Sequence, residues 1–294
     1  MQVSGSSVAF IGTGVMGASM AGHLLKAGAK LAVYNRTKSK ADALVAAGAV
    51  WAGSPAAAAA GADVVFTMVG FPSDVEEVYL GQDGIVAAAR PGAVLVDLTT
   101  SDPALAVRVS AAAKAAGKAA IDAPVSGGDT GARNATLSIM VGGDEAAFAA
   151  VKPFLDVMGK TAVLQGGPGA GQHTKMANQI SVAASLIGAV ESMSYAKKAG
   201  LDPLRVLDSI GGGAAQSWQL VGMSPRMLAG DFAPGFYSKH FLKDLRIALD
   251  SAKSMGERLP LLTLAESLFQ RMQEAGFGEL GTQALYRLYG EGRQ

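Results

Sequence analysis

The sequence contains no cysteine in its 294 residues. Without a thiol the chain can form neither a disulfide nor a thiolate zinc site, and a cysteine nucleophile is excluded. The absence of cysteine also fits a reducing compartment, and we expect a cytoplasmic protein.

Charged residues are scarce and nearly balanced: they make up 17% of the chain, and the formal net charge is +1. Half of the residues are apolar. This composition differs from that of disordered chains, and the length allows two domains with sizeable cores. The balanced charge gives no reason to expect a nucleic acid or a membrane surface as a partner.

Signals for a metal, a membrane span and a secretory leader are also missing. The three histidines, His23, His173 and His240, lack the spacing of metal ligands, so no metal is predicted. The most apolar helical region, residues 180–190, is shorter than the roughly 20 residues that span a bilayer. Residues 1–7 show no basic segment followed by an apolar stretch, so no secretory signal is expected.

The first half alternates short apolar runs with amphipathic stretches. Strands alternating with helices of ten or more residues predict a parallel sheet with helices on both faces. The predicted strands are residues 7–11, 30–34, 63–68, 94–98 and 119–123, with edge strands at 137–141 and 162–164. The first two predicted helices are residues 16–27 and 38–47.

The pattern changes after a cluster of glycines near residue 166, and only helical periodicity follows. The predicted helices there are residues 173–199, 203–210, 241–255 and 261–275. We therefore expect an α/β chain: an N-terminal Rossmann domain with a doubly wound sheet, residues 1–165, followed by an all-α domain, residues 166–294.

A glycine motif follows the first predicted strand and opens the first predicted helix. Gly12, Gly14 and Gly17 form G-x-G-x-x-G, whose glycines allow a tight turn, a close approach to a pyrophosphate and helix–strand packing. A helix N-terminus also offers free N–H groups to phosphates. The predicted dinucleotide-binding loop is Gly12, Thr13, Gly14, Val15, Met16 and Gly17.

The end of the second predicted strand indicates which dinucleotide is bound. NAD enzymes usually place an acidic residue there, whereas this chain has Asn35, Arg36 and Thr37. A guanidinium can bind a 2′-phosphate through several hydrogen bonds. We predict a preference for NADP(H), with NAD(H) possible and with Asn35 and Thr37 assisting. The alternative is that Arg36 is only a solvated surface residue.

Five sequence blocks in a fixed order carry a family resemblance. They are IGTGVMG at residues 11–17, DLTT at 97–100, DAPVSGG at 122–128, GAGQHTKMANQ at 169–179 and KD at 243–244. Over roughly residues 8 to 290 the chain resembles the β-hydroxyacid dehydrogenase family. That family includes 3-hydroxyisobutyrate dehydrogenases, tartronate semialdehyde reductases and glyoxylate/succinic semialdehyde reductases.

The resemblance implies that Lys175 is the catalytic lysine, and chemistry agrees. Hydride addition to a carbonyl builds negative charge on oxygen, so a proton donor must lie there. Lys175 is the only lysine in the first turns of the long helix. A lysine in a partly desolvated cleft can have its pKa lowered toward the working pH. It can then donate a proton during reduction and accept one during oxidation.

Two amides follow the lysine at helical spacing. Asn178 and Gln179 lie three and four residues after Lys175, so they share its helix face and could orient the substrate or the lysine. Many family members have a second asparagine in place of Gln179, a departure that leaves the substrate open. The alternative is that both amides are structural polar groups.

A serine and two glycines are predicted to hold the substrate carboxylate. Ser126, Gly127 and Gly128 follow a strand near the carboxyl end of the sheet, and a hydroxyl with open backbone N–H groups suits a carboxylate. The alternative is a simple turn. Trp218 is predicted either to line the substrate pocket or to pack in the core.

The resemblance adds further cofactor residues. It places Thr100 near the nicotinamide ribose and Lys243 over the cofactor or substrate, with Asp244 fixing Lys243 or the local helix. Met68 and Val69, at the end of the strand predicted at 63–68, complete the predicted cofactor site.

The residues and the resemblance together predict an NADP(H)-dependent oxidoreductase acting on a small carboxylated aldehyde, keto acid or 3-hydroxy acid. Two alternatives stay open: an imine reductase-like enzyme, and a non-catalytic dinucleotide-sensing protein that kept the fold. The resemblance also implies a homodimer or homotetramer built through the helical domain.

Overall fold

A computed structural model of the chain describes residues 1–290; the end of the predicted helical domain, residues 291–294, lies outside the described part. The chain divides into two compact units, Met1–Lys175 and Met176–Gln294. The domain boundary that the sequence predicts at residues 165/166 stays a prediction. The helix Ala170–Lys198 runs without a break across the division between the two units.

The first unit is built on a nine-stranded sheet. The strands are β1 Ser7–Ile11, β2 Lys30–Tyr34, β3 Val50–Trp51, β4 Val64–Thr67, β5 Val94–Asp97, β6 Ala119–Asp122, β7 Val125–Ser126, β8 Leu137–Gly142 and β9 Gly159–Gly166. Their order is β3-β2-β1-β4-β5-β6-β8-β7, and β9 also pairs with β8. Strands β1 to β6 are parallel, and β8 runs antiparallel to β6 and β7.

The burial of the strands and the capping of the helices account for the layers of the first unit, a sheet covered by helices. All residues of β4 and β5 are buried, as expected for parallel strands covered on both faces. Asp102 accepts a hydrogen bond from the N–H of Ala104 and starts its helix ahead of Pro103. The helices are α1 Gly17–Lys26, α2 Asp42–Ala46, α3 Pro55–Ala59, α4 Pro72–Leu80, α5 Ile85–Ala88, α6 Pro103–Ala115, α7 Gly128–Arg133 and α8 Glu145–Asp156.

Helix α9, Ala170–Lys198, begins in the first unit. As far as residue 290, the second unit contains helices and no strand, apart from one isolated bridge between Tyr237 and Gly281. Its core is formed by apolar residues such as Leu186, Phe241 and Phe269. The remaining helices are α10 Pro203–Ile210, α11 Ser224–Leu228, α12 Ser238–Ser254, α13 Pro260–Glu274 and α14 Arg287–Gly290.

The predicted fold class is confirmed: a Rossmann-like sheet with helices precedes a mostly helical region. Several local details differ. The predicted helix 38–47 is a 3-10 turn, Lys38–Ala41, followed by α2. A short strand, β3, was not predicted, because two residues are too few for a periodicity. Within residues 1–290, no helix is both long and apolar enough to cross a membrane.

Candidate active site

The glycine loop between β1 and α1 has the backbone geometry that its motif requires. Gly12 has φ +96°, and a Cβ there would overlap the carbonyl oxygen of Met68. A Cβ on Gly17 would overlap the carbonyl oxygen of Gly12. The first turn of α1 can therefore pack this closely against the loop only with a glycine at residue 17. A Cβ on Gly14 would meet nothing within 4 Å, which leaves open space beside the loop.

The rest of the loop fits a polar ligand. Thr13 is 2% exposed, and its Oγ1 is buried without a hydrogen-bond partner among residues 1–290. Val15 is 49% exposed. Met16 directly precedes α1 and makes no side-chain cap. An orphaned hydroxyl and open space beside Gly14 are features that a bound pyrophosphate could satisfy.

Asn35 fixes the glycine loop to the end of β2. Its Oδ1 accepts the N–H of Thr13 at 3.0 Å, and its Nδ2 donates to the carbonyl of Thr37 at 2.8 Å. Both ends of the amide are therefore used inside the chain. The structure gives Asn35 a role in shaping the loop, and its predicted contact with a 2′-phosphate stays a prediction.

Arg36 extends from the surface beside Asp74, an acidic residue for which the sequence predicts no role at the site. The Arg36 side chain is 86% exposed, and its Nη1 lies 3.5 Å from Oδ1 of Asp74. The other oxygen of Asp74 accepts the N–H of Phe71 at 3.0 Å, at the start of α4. The position of Asp74 two residues after Pro72 is a helix-start signal, but nothing in the sequence links it to Arg36.

Met68 and Val69 lie beside the loop that follows β5. The N–H of Met68 donates to the carbonyl of Ile11 at 2.8 Å, next to the glycine loop. The N–H of Val69 donates to Oγ1 of Thr99 at 3.0 Å. Thr100, the predicted ribose contact, follows directly and is half-buried. The structure thus brings the predicted cofactor residues 12–17, 68–69 and 100 onto neighbouring strand ends.

A buried polar cluster supports these loops. Oδ1 of Asp97 accepts hydrogen bonds from Oγ1 of Thr67 at 2.9 Å and from the N–H of Thr99 at 3.0 Å. Burial raises the pKa of Asp97 to about 6, while these hydrogen bonds act in the opposite direction. The Tyr79 hydroxyl lies 2.9 Å from Oγ1 of Thr67, and burial raises its pKa well above the usual value.

Lys175 is buried, with 6% exposure, near the start of α9. Its Nζ donates to the carbonyl of Val125 at 2.8 Å. Val125 precedes Ser126 in β7, so the ammonium lies next to the predicted carboxylate site. Ser126 is half-buried, and the chain turns directly after it, where Gly127 has φ +134° and Gly128 has φ +62°. The structure therefore brings these predicted residues together.

Asp122 holds the start of the helix that carries Lys175. This carboxylate is 4% exposed, and it accepts the N–H of Gly169 on Oδ1 and of Gln172 on Oδ2, each at 2.8 Å. Burial raises the pKa of Asp122, and the backbone hydrogen bonds lower it. Because the carboxylate satisfies N–H groups of the first turn, α9 begins at Ala170 instead of the predicted residue 173.

Gln172 joins the same helix turn to the loop after β5. Its side chain has no exposed surface. The Oε1 atom accepts the N–H of Ser101 at 2.9 Å, and Nε2 donates to the carbonyl of Thr99 at 2.7 Å. Gln172 belongs to the block at residues 169–179 but has no predicted role, because no residue pattern marks a glutamine that bonds to backbone about 70 positions away.

In the second unit, the other predicted site residues form one hydrogen-bonded chain. Asn178 donates through Nδ2 to Oε1 of Gln179 at 2.8 Å, and Gln179 donates through Nε2 to Oδ2 of Asp244 at 2.5 Å. Nζ of Lys243 lies 3.0 Å from the other oxygen of Asp244, which is 1% exposed. Asp244 therefore anchors both the lysine and the glutamine, as expected for a fixing role.

Trp218 is not a packed core residue, so that interpretation is wrong. Its side chain is 59% exposed at the start of a π-helical turn, Gln219–Met223, and one face lies close to Gly222. The packing of this turn against α11 leaves the ring outside the core of the second unit. Its predicted contact with the substrate stays a prediction.

Two family profiles together match nearly the whole chain. Residues 7–167 match the profile described as the NAD binding domain of 6-phosphogluconate dehydrogenase. Residues 169–289 match the profile described as the NAD-binding domain of NADP-dependent 3-hydroxyisobutyrate dehydrogenase. The first profile covers more than half of the chain.

Curated relatives align over almost their full length. An uncharacterized oxidoreductase of Bacillus subtilis (strain 168) is 52% identical, over 96% of this chain and 98% of that protein. The 2-hydroxy-3-oxopropionate reductase of Escherichia coli (strain K12) is 41% identical, over 94% of each chain.

Solved structures share the fold over nearly all of the chain. The Mycobacterium tuberculosis 3-hydroxyisobutyrate dehydrogenase with L-serine superposes with a TM-score of 0.88 at 32% identity, covering 99% of this chain and 100% of that one. A protein named Psf3, solved with NADP+ and 2-OPP, gives a TM-score of 0.90 at 30% identity, covering 96% of this chain and 99% of that one. The profiles, the relatives and the shared fold show that this chain is an NAD(P)-binding oxidoreductase of the β-hydroxyacid dehydrogenase family.

Proposed function

We propose that the chain transfers a hydride between NADP(H) and a small carboxylated aldehyde, keto acid or 3-hydroxy acid, with Lys175 as the general acid and base. One observation carries the proposal. The buried ammonium of Lys175 is bonded to the carbonyl of Val125, directly before the Ser126-Gly127-Gly128 turn. A proton donor therefore lies beside the groups that suit a carboxylate.

The lysine supplies the proton chemistry. The nicotinamide, when bound, supplies or accepts the hydride. An ammonium has three N–H donors, and one of them is directed to the Val125 carbonyl, which anchors the head group. Lys175 donates a proton to the substrate oxygen during reduction, and its amine takes that proton back during oxidation.

The turn after β7 positions the substrate. The Ser126 hydroxyl and the backbone N–H groups of Gly127 and Gly128 bind the carboxylate, because such an anion needs several donors. Both glycines have positive φ, a backbone that other residues rarely adopt. Asn178 and Gln179, held by Asp244, act as the substrate-orienting amides.

The glycine loop and Arg36 favour the phosphorylated cofactor. Residues 12–17 would hold the pyrophosphate, with Met68, Val69, Thr100 and Lys243 around the nicotinamide half, and Arg36 with Thr37 would bind the 2′-phosphate. The exposed guanidinium of Arg36 is able to reach a ligand at the end of β2. An NADP-dependent family profile and a related complex with NADP+ support this preference over NAD(H).

A substrate panel tests the proposal. Glyoxylate, succinic semialdehyde, tartronate semialdehyde and methylmalonate semialdehyde are each mixed with the enzyme and with NADPH or NADH, and absorbance at 340 nm is followed. 3-Hydroxy acids are tested in reverse with the oxidised cofactors. We expect turnover of at least one carboxylated compound, faster with NADPH. A cyclic imine is added to the panel; turnover of this imine alone would favour the imine reductase alternative, and cofactor binding without any turnover would favour a sensor.

Three further points rest on the sequence: the family resemblance suggests the quaternary structure, the absence of cysteine suggests the location, and the change of pattern near residue 166 suggests the domain boundary. We propose a homodimer or homotetramer in the cytoplasm, with the domain boundary near residue 166. Light scattering coupled to gel filtration of the full chain measures the first point, and a monomeric mass would contradict it.

A further inference from the structure

A fully buried glutamine lies between the lysine and the loops assigned to the cofactor. We propose that Gln172 is a positioning residue, which sets the place of Lys175 relative to residues 68–69 and 99–101. This inference rests on the proposed function, since it assumes that Lys175 moves the proton. It adds a residue that itself contacts neither the substrate nor the cofactor.

On the helix side, Gln172 and Lys175 are three residues apart in α9, so they lie on neighbouring positions of one helix face. The backbone between them cannot shift freely. Asp122 accepts the N–H of Gln172 at 2.8 Å, and Val125, three residues further along that chain segment, accepts the Lys175 ammonium at 2.8 Å. One short stretch of sheet therefore holds both ends of this helix turn.

On the loop side, Gln172 bonds to two backbone groups of opposite type. Its Oε1 accepts from the N–H of Ser101, and its Nε2 donates to the carbonyl of Thr99. The two bonds flank Thr100, the predicted ribose contact. Oγ1 of Thr99 in turn accepts the N–H of Val69, so the connection reaches the second cofactor loop.

Only a side chain with one donor and one acceptor satisfies this arrangement. An apolar residue of similar size would leave the Thr99 carbonyl and the Ser101 N–H unpaired in a buried position, which forces the loop to move away or admit water. A displacement of about 1 Å at a site of this kind lowers turnover by about 100-fold, because the reacting groups lose alignment.

The test compares Gln172→Leu and Gln172→Glu with the wild type. A neutral glutamic acid can make both native bonds, donating its O–H to the Thr99 carbonyl and accepting from Ser101, whereas its carboxylate cannot donate. Burial and the carboxyls of Asp122 and Asp97 favour the neutral acid, whereas the Lys175 ammonium on the same helix face favours the carboxylate, so the neutral acid predominates only at low pH. Gln283→Glu is the matched control: Gln283 is 1% exposed and donates to the carbonyls of Asp231 and Ala233, each at 3.1 Å.

We expect Gln172→Leu to lower kcat by about 10- to 100-fold at every pH, with a smaller change in substrate KM. The kcat of Gln172→Glu, divided by that of the wild type, should lie near one at pH 6 and fall about 10-fold by pH 9. Gln283→Glu should show no such fall. In the cofactor-free protein, hydrogen exchange of residues 99–101 should quicken in Gln172→Leu.

Two results overturn the inference: a Gln172→Leu variant with wild-type kcat, or a Gln172→Glu ratio that does not change with pH. A Lys175→Ala variant measured alongside separates this failure from that of the proposed function. If Lys175→Ala is inactive while both Gln172 variants behave as wild type, only the positioning role is wrong. If Lys175→Ala keeps its turnover, the proposed function itself is wrong.

Discussion

Individual charges beside the predicted phosphate site should affect how strongly NADP(H) binds under the proposed function. Asp74 lies 3.5 Å from the exposed guanidinium of Arg36, where its negative charge opposes a 2′-phosphate and competes for the same donor. Exposed ion pairs contribute about 0–1 kcal/mol, so the expected effect is modest. Under the proposed function, the affinity for NADP(H) should therefore depend on Asp74 as well as on Arg36.

We expect Asp74→Asn to tighten NADPH binding by up to about fivefold, because the asparagine keeps the hydrogen bond to Phe71 but loses the charge. Fluorescence titration with NADPH gives the dissociation constant. NADH, which lacks the 2′-phosphate, serves as the control ligand and should bind both proteins equally. An equal gain with NADH would show that Arg36 does not contact the phosphate.

The buried carboxyl of Asp97 makes the free energy of unfolding depend on pH. Burial raises its pKa in the folded chain to about 6 from the usual 3.8. A raised acid pKa means that the folded state binds the proton more tightly, so this contribution is present below pH 3.8 and is lost as pH rises through 6. A shift of this size corresponds to about 3 kcal/mol.

In denaturant titrations between pH 4 and 7, the Asp97→Asn variant should lack this contribution. The difference in unfolding free energy between wild type and variant should therefore shrink by about 2.4 kcal/mol from pH 4 to pH 7, since part of the contribution is already lost at pH 4. A difference that stays constant over this range would mean that Asp97 keeps an ordinary pKa in the folded chain.

At the scale of elements, the start of α9 determines where Lys175 lies. Asp122 accepts two N–H groups of that start while almost fully buried, whereas Asp144 accepts the N–H of Ala147 at the start of α8. Loss of a cap costs about 0.5–2 kcal/mol, and unpaired buried N–H groups cost about 1–3 kcal/mol. The two caps should therefore differ clearly in their effect.

We expect Asp122→Ala to lower the unfolding free energy by about 2–4 kcal/mol, and Asp144→Ala by about 1 kcal/mol. Urea denaturation of both variants under the same conditions measures the two values. Equal losses would mean that the Asp122 cap stabilises α9 no more than an ordinary helix cap.

The same elements show why some features follow from the sequence and others do not. Strand β1 is a short apolar run and helix α12 carries helical periodicity, so both elements were predicted, although α12 begins three residues before its predicted start. The early start of α9 was not predicted, because its cause is a carboxylate 47 positions away from Gly169. The π-helical turn at Gln219–Met223 carries no local signal either.

At the scale of the whole molecule, the order of the motifs predicted the family and the class of fold. The family profiles, the relatives and the solved structures with the same fold confirm both. The sequence also predicted Lys175 and the Ser126 turn as parts of one site, and the structure places them side by side. It did not identify Asp74, Asp97 or Gln172, since each acts through long-range contacts that depend on the complete fold. A residue type alone does not show which backbone group it meets.

The most direct test of the account measures kcat of Lys175→Ala with NADPH and a substrate found in the panel. The matched control is Lys118→Ala, because Nζ of Lys118 also donates to a backbone carbonyl, that of Val86 at 2.6 Å. We predict that Lys175→Ala loses about 10²–10⁴-fold in kcat with unchanged NADPH affinity, while Lys118→Ala stays near wild type. A Lys175→Ala enzyme that keeps wild-type kcat would contradict the account.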